Sequence, residues 1–376
     1  MKIGIITTYF AYNFGAMLQP FALKRTLESL GHEVEMIRYK QEAVYNYYAP
    51  FNFKRLLSKN PLAVLRNIHN LLKYYNTLKM REQNFQKFLL KHITDSISFT
   101  PVIPSDKDVY FVGSDQLWNP YNLEGFDDIY MGNFSAKQGS VKATYAISAG
   151  SLKFTNNNIN YIKENLKNFD YISVREDSLR EDLIKYVGYK DAETVLDPTL
   201  LAEPSIYDEI QITDPLPADD FIMLYYIRDC SSYLKKLCDY ANKNRLRLLV
   251  LSEGVKEDVE LLAKKNACIN YIPEAGEDIF LGGIKNAKCI FTPSFHGVAF
   301  SIIFHRPFYS LELADNNNRR AQDLLKMVGL SNRVLTLSQK IPVNISIDFS
   351  TCDDVILIER EKSLQFIRKV VNSYKS

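Results

Sequence analysis

The residues with the most chemistry to offer lie in the run Phe291-Thr292-Pro293-Ser294-Phe295-His296-Gly297-Val298-Ala299-Phe300-Ser301. An imidazole stands there where a strand gives way to a helix. Residues 288–291 read as a short buried strand, Pro293 ends it, and the chain from Gly297 is apolar enough for a buried helix. At such a helix start the first backbone N–H groups lack partners and the helix dipole favours negative charge, so a phosphate or carboxylate could dock beside His296. The same pattern also suits a polar capping loop around a half-buried histidine, and the run alone leaves both readings open.

A second polar cluster follows the predicted strand 109–112: Gly113-Ser114-Asp115-Gln116-Leu117-Trp118-Asn119-Pro120. Gly113 permits close backbone approach, Ser114 and Asp115 can cap a turn or bond hydroxyls, and Trp118, the single tryptophan, offers an aromatic plane. An acid beside an aromatic ring suits a sugar; equally, Trp118 fills the core while Asp115 caps a turn. The loop Tyr9-Phe10-Ala11-Tyr12-Asn13-Phe14-Gly15 ends the first predicted strand and is not GxGxxG. That argues against a dinucleotide site. Its aromatic and amide groups, Tyr12 and Asn13 among them, suit a sugar or polar organic ligand.

These loops need a scaffold, and the hydrophobic pattern supplies one. Strand 2–7, a helix ending near 30 with Gly31 as its stop, and strand 34–39 form a βαβ unit. Pro20 has no N–H and is tolerated in a first turn, which places the helix start near Ala16 or Met17. Strands 109–112, 143–147, 171–174 and 193–196 continue the pattern, and a Pro- and acid-rich stretch at 203–220 reads as a linker. A second series follows at 221–227, 246–251, 268–272, 288–291 and 308–311. The expected fold class is α/β, with two Rossmann-like domains whose parallel sheets face a cleft. Their expected bounds are 1–205, with a helical insertion at about 45–95, and 206–352, with a last helix at 353–376 packing back on the first domain.

The insertion has a lopsided charge: from Lys54 to Lys91 nine Lys or Arg stand against one acid, Glu82, among leucines such as Leu56, Leu57, Leu65 and Leu72. Such helices could rest on anionic lipid or meet an anionic carrier, or they pack their apolar stripe on the sheet. Elsewhere composition is unremarkable in charge. The 376 residues carry a net charge of +2 with 46% hydrophobic content, which gives no global field for nucleic acid and enough apolar surface for two cores. Five cysteines without a CxxC pair read as reduced thiols, and the strand-like start of the chain together with the lack of a spanning apolar run implies a cytoplasmic protein. No metal-ligand spacing is found, because the five histidines are scattered.

Taken together, GSDQLWNP, the run Tyr171-Ile-Ser-Val-Arg-Glu-Asp, Leu196-Asp197-Pro198-Thr199-Leu200 and SFHGVAFSIIFHRPF resemble, in order and separation, the polysaccharide pyruvyl transferase family. The resemblance covers roughly residues 1–330 and implies a GT-B-like fold. It also implies a transferase of surface polysaccharide (exopolysaccharide or capsule) biosynthesis, moving the enolpyruvyl group of phosphoenolpyruvate to a sugar as a pyruvate ketal. Phosphoenolpyruvate would be a co-substrate, with no cofactor. The acceptor sugar could be lipid-linked and the enzyme held at the inner face of the membrane through the basic helices 54–91. Two other readings stay open: a GT-B-type glycosyltransferase using a nucleotide sugar, and a non-catalytic carbohydrate-binding relative.

The implied reaction needs cations for a phosphate and a carboxylate, and an acid and a base for proton transfer. His296 and Asp115 are the catalytic candidates. Arg175 and Arg228, each closing a predicted strand, lead the donor-binding candidates, followed by Ser294, Gly297, Arg319 and Arg320, the last two after Asn316-Asn317-Asn318. Tyr12, Asn13, Ser114 and Trp118 are the acceptor-binding candidates. Where better-studied members resemble Arg-Leu-His-Gly, this chain has Ser294-Phe295-His296-Gly297. Either Arg228, Arg319 or Arg320 supplies the missing cation, or the donor differs.

Overall fold

A computed structural model describes residues 1–49, 61–150, 152–210, 215–313, 319–342 and 345–375. Lys54, Arg55, Leu56 and Leu57 of the insertion, residues 211–214 of the linker, Asn316, Asn317 and Asn318, and Ser376 lie outside the described residues. Strand β1 (Lys2–Ile6) is buried from its second residue onward, as expected of a strand covered on both faces. It lies between β2 (Glu33–Met36) and β3 (Val109–Val112), with β4 (Val141–Thr144) beyond, all parallel, in the order β2-β1-β3-β4. The short parallel pair β5 (Ser173–Val174) and β6 (Glu193–Thr194) continues this layer through the bridges Ala143 to Tyr171 and Ile147 to Val174.

The second sheet is also parallel throughout, in the order β12-β11-β10-β7-β8-β9. Its strands are β7 (Phe221–Tyr226), β8 (Arg247–Ser252), β9 (Ile269–Tyr271), β10 (Ile290–Thr292), β11 (Phe308–Leu311) and β12 (Val334–Leu335). Chain order reverses direction between β1 and β3 in one sheet and between β7 and β10 in the other. Ligands of open α/β sheets bind at the carboxyl ends of strands flanking such reversals. Those ends carry the loop before Gly15, the turn at Gly113, the bend at Arg228 and the turn at Ser294.

Helices α1 (Phe14–Ser29), α2 (Glu42–Tyr48), α3 (Pro61–His92), α4 (Asn156–Asn165), α5 (Asp177–Asp182) and α6 (Pro198–Leu201) accompany the first sheet. With the second go α7 (Ser231–Lys243), α8 (Glu257–Ala263), α9 (Glu277–Asn286), α10 (Phe295–Ile303) and α11 (Arg319–Met327). The last helix, α12 (Ser350–Asn372), returns to the first layer, where the Ser363 hydroxyl accepts from the Leu196 N–H at 2.9 Å.

Helix α1 starts earlier than Pro20 suggested. Asn13 caps it, its side chain accepting from the Ala16 N–H at 3.1 Å, so Pro20 falls in the second turn. The Ala16 carbonyl that loses its usual donor there is met instead by the Gln19 amide at 3.5 Å, which softens the cost of an interior proline.

Helix α3 is one rod of 32 residues. Its last third is buried through Phe85, Phe88 and Leu89, and Phe85, Phe14 and Phe280 form a stack with ring centroids 5.5 and 4.7 Å apart. Each such pair contributes about 0.5–1.5 kcal/mol beyond its buried area. Arg81 donates to the carbonyls of Tyr12 and Pro273, both at 3.1 Å, and Asn84 donates to that of Glu274 at 2.8 Å. The insertion thereby fastens the first layer to the second.

All five cysteines are buried and free, with Cys238 and Cys268 Sγ atoms 3.4 Å apart.

Candidate active site

The turn between β10 and α10 is built by its own polar groups. Ser294 caps α10 and its hydroxyl accepts from the Gly297 N–H at 3.3 Å, while the Ser294 N–H donates to the Thr292 hydroxyl at 3.0 Å. A side chain at 297 would stand 2.6 Å from Thr292 Cγ2, which is why glycine sits there. The Gly297 N–H and the Ser294 oxygen, both donor-binding candidates, are engaged with each other in this cap, which leaves the Ser294 O–H as the group free to donate.

His296 is 6% exposed. Its Nε2 is buried without a hydrogen bond and lies 3.7 Å from Asp197 Oδ2, while its Nδ1 edge rests against the Cα of Gly15. Phe295 meets the ring edge to face at 5.1 Å. The histidine is thus gripped between the two layers.

Asp197 is the hub of this region, a role that the Leu196-Asp197-Pro198 motif had not suggested. It caps α6, where Pro198 can take the first position without wasting a donor. Its Oδ1 accepts from the Thr199 N–H at 2.9 Å and hydroxyl at 2.6 Å; its Oδ2 accepts from Arg175 Nη1 at 2.8 Å and from the Ser114 hydroxyl at 3.3 Å. Burial alone would raise its pKa, but His296, Arg175 and Thr199 together hold the carboxyl well below the usual carboxylate range.

The structure brings two of the four candidate arginines, Arg175 and Arg320, to the same carboxylate. Arg175 is buried, bonded to Glu176 at 2.9 Å and to Asp197, and lies over the Phe295 ring at 4.5 Å. Its Nη2 has no hydrogen-bond partner and stands 4.0 Å from Asp115 Oδ1. Burial opposes its charge, but Glu176, Asp197 and Asp115 more than compensate and hold its pKa above the ordinary arginine value.

Arg320 places Nη1 at 4.0 Å from the same Asp115 oxygen, and the Gln116 amide, with its oxygen toward Arg320, accepts at 3.0 and 3.1 Å. Burial and the field of Arg175, with a further push from Arg228, lower the pKa of Arg320. Arg228, in the left-handed region at φ 52°, adds to the positive field felt by Arg320. Arg319 does not. It turns away to bond Asp182 at 3.0 Å and the Ser178 carbonyl at 3.3 Å, because adjacent residues on a helix point about 100° apart.

Asp115 sits between Arg175 and Arg320 with φ 78°, its Oδ2 accepting from the Thr8 hydroxyl at 3.4 Å. A shallow pocket open to solvent has Arg175, Asp197, Phe295 and Arg320 on its walls.

Two acceptor expectations are corrected. Trp118 is fully buried, donates Nε1–H to the Tyr130 carbonyl at 3.1 Å and packs on Phe169, so its faces are spent on the core. Ser114 is likewise enclosed by Asp197, Gln19 and Thr7. In the opening loop the Tyr12 hydroxyl donates to Glu82 at 3.4 Å, and Asn13, besides capping α1, donates to Glu253 beyond β8. Both lie at the seam between layers. Gly15, Gln116, Glu253 and Asp197 are site residues that the sequence reading passed over; the capping signature Asp-Pro at 197–198 was the one legible hint.

Among the described residues no group of three or more His, Cys, Asp or Glu could hold a metal ion. No described helix is long and apolar enough to cross a membrane.

The family model described as "Polysaccharide pyruvyl transferase" matches residues 13–315. No curated protein matches the chain in sequence. Among solved structures, a UDP-GlcNAc 2-epimerase from Methanocaldococcus jannaschii aligns over 99% of this chain and 100% of its own, at 15% identity and TM-score 0.48. An E. coli heptosyltransferase with ADP aligns over 98% of this chain and 100% of its own, at 13% identity and TM-score 0.41.

Proposed function

The chain belongs to the polysaccharide pyruvyl transferase family, and on that premise we propose that it transfers the enolpyruvyl group of phosphoenolpyruvate to a sugar as a pyruvate ketal. The observation that carries this reading is the placement of Arg175 and Arg320 on either side of Asp115, next to the His296–Asp197 pair, with Arg228 adding to the positive field at Arg320. A donor bearing a phosphate and a carboxylate needs such a group of cations. Arg320, held by Gln116, takes over the charge that Ser294 lacks.

In this reading the Asp197 carboxylate, 3.7 Å from Nε2, stabilises positive charge on the imidazole, and Nδ1, on the Gly15 side, moves the proton. One acceptor hydroxyl attacks carbon 2 as the methylene carbon takes a proton and becomes a methyl group. Phosphate then leaves with the C–O electron pair, a second hydroxyl attacks the same carbon, and its proton departs with the phosphate or to His296. Asp115, neutralised by two arginines, orients the acceptor hydroxyl or takes its proton. The acceptor is a sugar of a surface polysaccharide, and the protein works at the cytoplasmic side.

The test is incubation of purified protein with phosphoenolpyruvate and a panel of sugar acceptors, following inorganic phosphate and the ketal product by mass spectrometry. Acceptor-dependent phosphate release, lost in His296→Ala, is the expected result. Silence with every acceptor, together with nucleoside diphosphate release from a nucleotide sugar, would overturn it.

A further inference from the structure

Helix α3 is anchored at one end and bare along its outer face. Phe85 marks the side that faces the protein body, buried against Phe14. At about 100° per residue, Leu65, Leu72, Met80 and Leu90 all fall within about 60° of the opposite direction, as do Lys79, Lys87 and Lys91. Each of these seven side chains is exposed, Leu65 at 63% and Leu72 at 74%. The apolar stripe expected to pack on the sheet therefore packs only where Phe85, Phe88 and Leu89 reach the body.

The charge that α3 itself carries on this face has one sign. The only acid in the helix, Glu82, lies toward the body and accepts from the Tyr12 hydroxyl. Lys73 is spoken for by Glu260 at 3.1 Å, and Arg81 is buried, but Lys79, Lys87, Lys91 and the flanking Arg66 form no ion pair among the described residues. Leucines interleaved with unpaired cations on the outer side of a helix that cannot span a bilayer match the requirements for lying in an anionic membrane interface. A protein partner would have to be both acidic and apolar along the same stripe, whereas anionic lipid offers both at once.

We propose that α3 is a membrane-docking helix that lays its Leu65, Leu72 and Leu90 face on an anionic lipid surface. The claim concerns the outer face of α3, which carries none of the candidate catalytic or donor-binding residues, and stands whatever the donor proves to be. It makes the protein peripheral, held by the side of one helix.

Flotation of the full chain tests it, using vesicles of phosphatidylcholine alone and of phosphatidylcholine with roughly one-third phosphatidylglycerol. Recovery with the anionic vesicles and little with the neutral ones is expected, with partitioning about 25-fold weaker in Lys79→Gln/Lys87→Gln, or about fivefold for each cation removed. Leu65→Ser/Leu72→Ser should abolish flotation while keeping the wild-type melting temperature, and the lysine pair decides the matter should the serine variant unfold. Equal recovery on both vesicle types, or none on either, would overturn the proposal. So would a wild-type dimer that the serine variant makes monomeric, since a second copy would then cover the face.

Discussion

The imidazole of His296 lies flush against the backbone of Gly15, so close that a methyl group built on that glycine would stand 2.0 Å from Nδ1. Glycine is therefore a steric requirement of the histidine's position rather than of the local backbone, which is ordinary helix. Alanine is the better helix former by roughly 1 kcal/mol, yet overpacking costs about 1–3 kcal/mol, so Gly15→Ala should lose little or modest stability. Turnover, by contrast, should fall at least about tenfold, since a 1 Å shift of a proton-transferring group is that costly. Phosphate release beside a thermal melt separates the two effects; full activity in G15A would show that the ring's position is immaterial.

Asp197→Asn removes the charge that neutralises Arg175 and orients His296. Breaking a buried pair from one side costs about 3–5 kcal/mol, which urea unfolding at pH 7 would register. The pH dependence has a definite sign. Because the folded carboxyl is held below its unfolded value near 4, its stabilisation is present above about pH 4 and drains away as pH falls through the lower, folded value. The gap between wild type and variant should narrow in acid, and a gap that is constant down to pH 2 contradicts the assignment.

Arg319 and Arg320 are neighbours in sequence with different destinations. Arg320→Ala should weaken phosphoenolpyruvate binding by roughly 10- to 150-fold, the equivalent of a charge-assisted contact of about 1.5–3 kcal/mol. Arg319→Ala should change it less than about threefold, because an exposed ion pair is worth little. Titration calorimetry with the two variants decides; equal losses would mean that the guanidinium cluster is not the donor site.

Glu277 is 1% exposed and neither carboxylate oxygen has a hydrogen-bond partner. Burial pushes its pKa well up, opposed by the nearby Arg81. Its folded state favours the protonated form, so the cost of ionising it is absent in acid and grows as pH rises above the unfolded value near 4. Glu277→Gln should match wild type at pH 4 and exceed it by about 1 kcal/mol or more at pH 8, as judged by melting temperature. A variant that is weaker at both pH values would show that the acid has a partner worth keeping.

The strands of both sheets were legible because parallel strands buried on both faces read as short apolar runs, as in Val109–Val112 and Phe308–Leu311. The start of α1 was not: the proline rule speaks of a missing N–H and is blind to the Gln19 side chain that supplies another donor. Among the site residues, His296, Asp115, Arg175, Arg228 and Arg320 could be named from their places at strand and helix ends. What those residues touch is a different matter. Ser114 and Trp118 looked outward in the sequence because polar and aromatic types do so in binding loops, whereas the turn of the chain at Gly113 sends both inward. Asp197 and Gly15 escaped notice since their importance comes from contacts between the layers, which no local pattern encodes.

The ring stack of Phe85, Phe14 and Phe280 bears on whether the insertion can be shortened. Three aromatic faces from the insertion, the first helix and the second layer meet there, and Phe85 is the ring that covers Phe14 on the insertion side. Trimming the insertion would uncover Phe14 on that side and orphan the Tyr12 and Pro273 carbonyls, so the segment cannot be discarded as ornament. Changes of length that leave this seam untouched belong in the loops away from it.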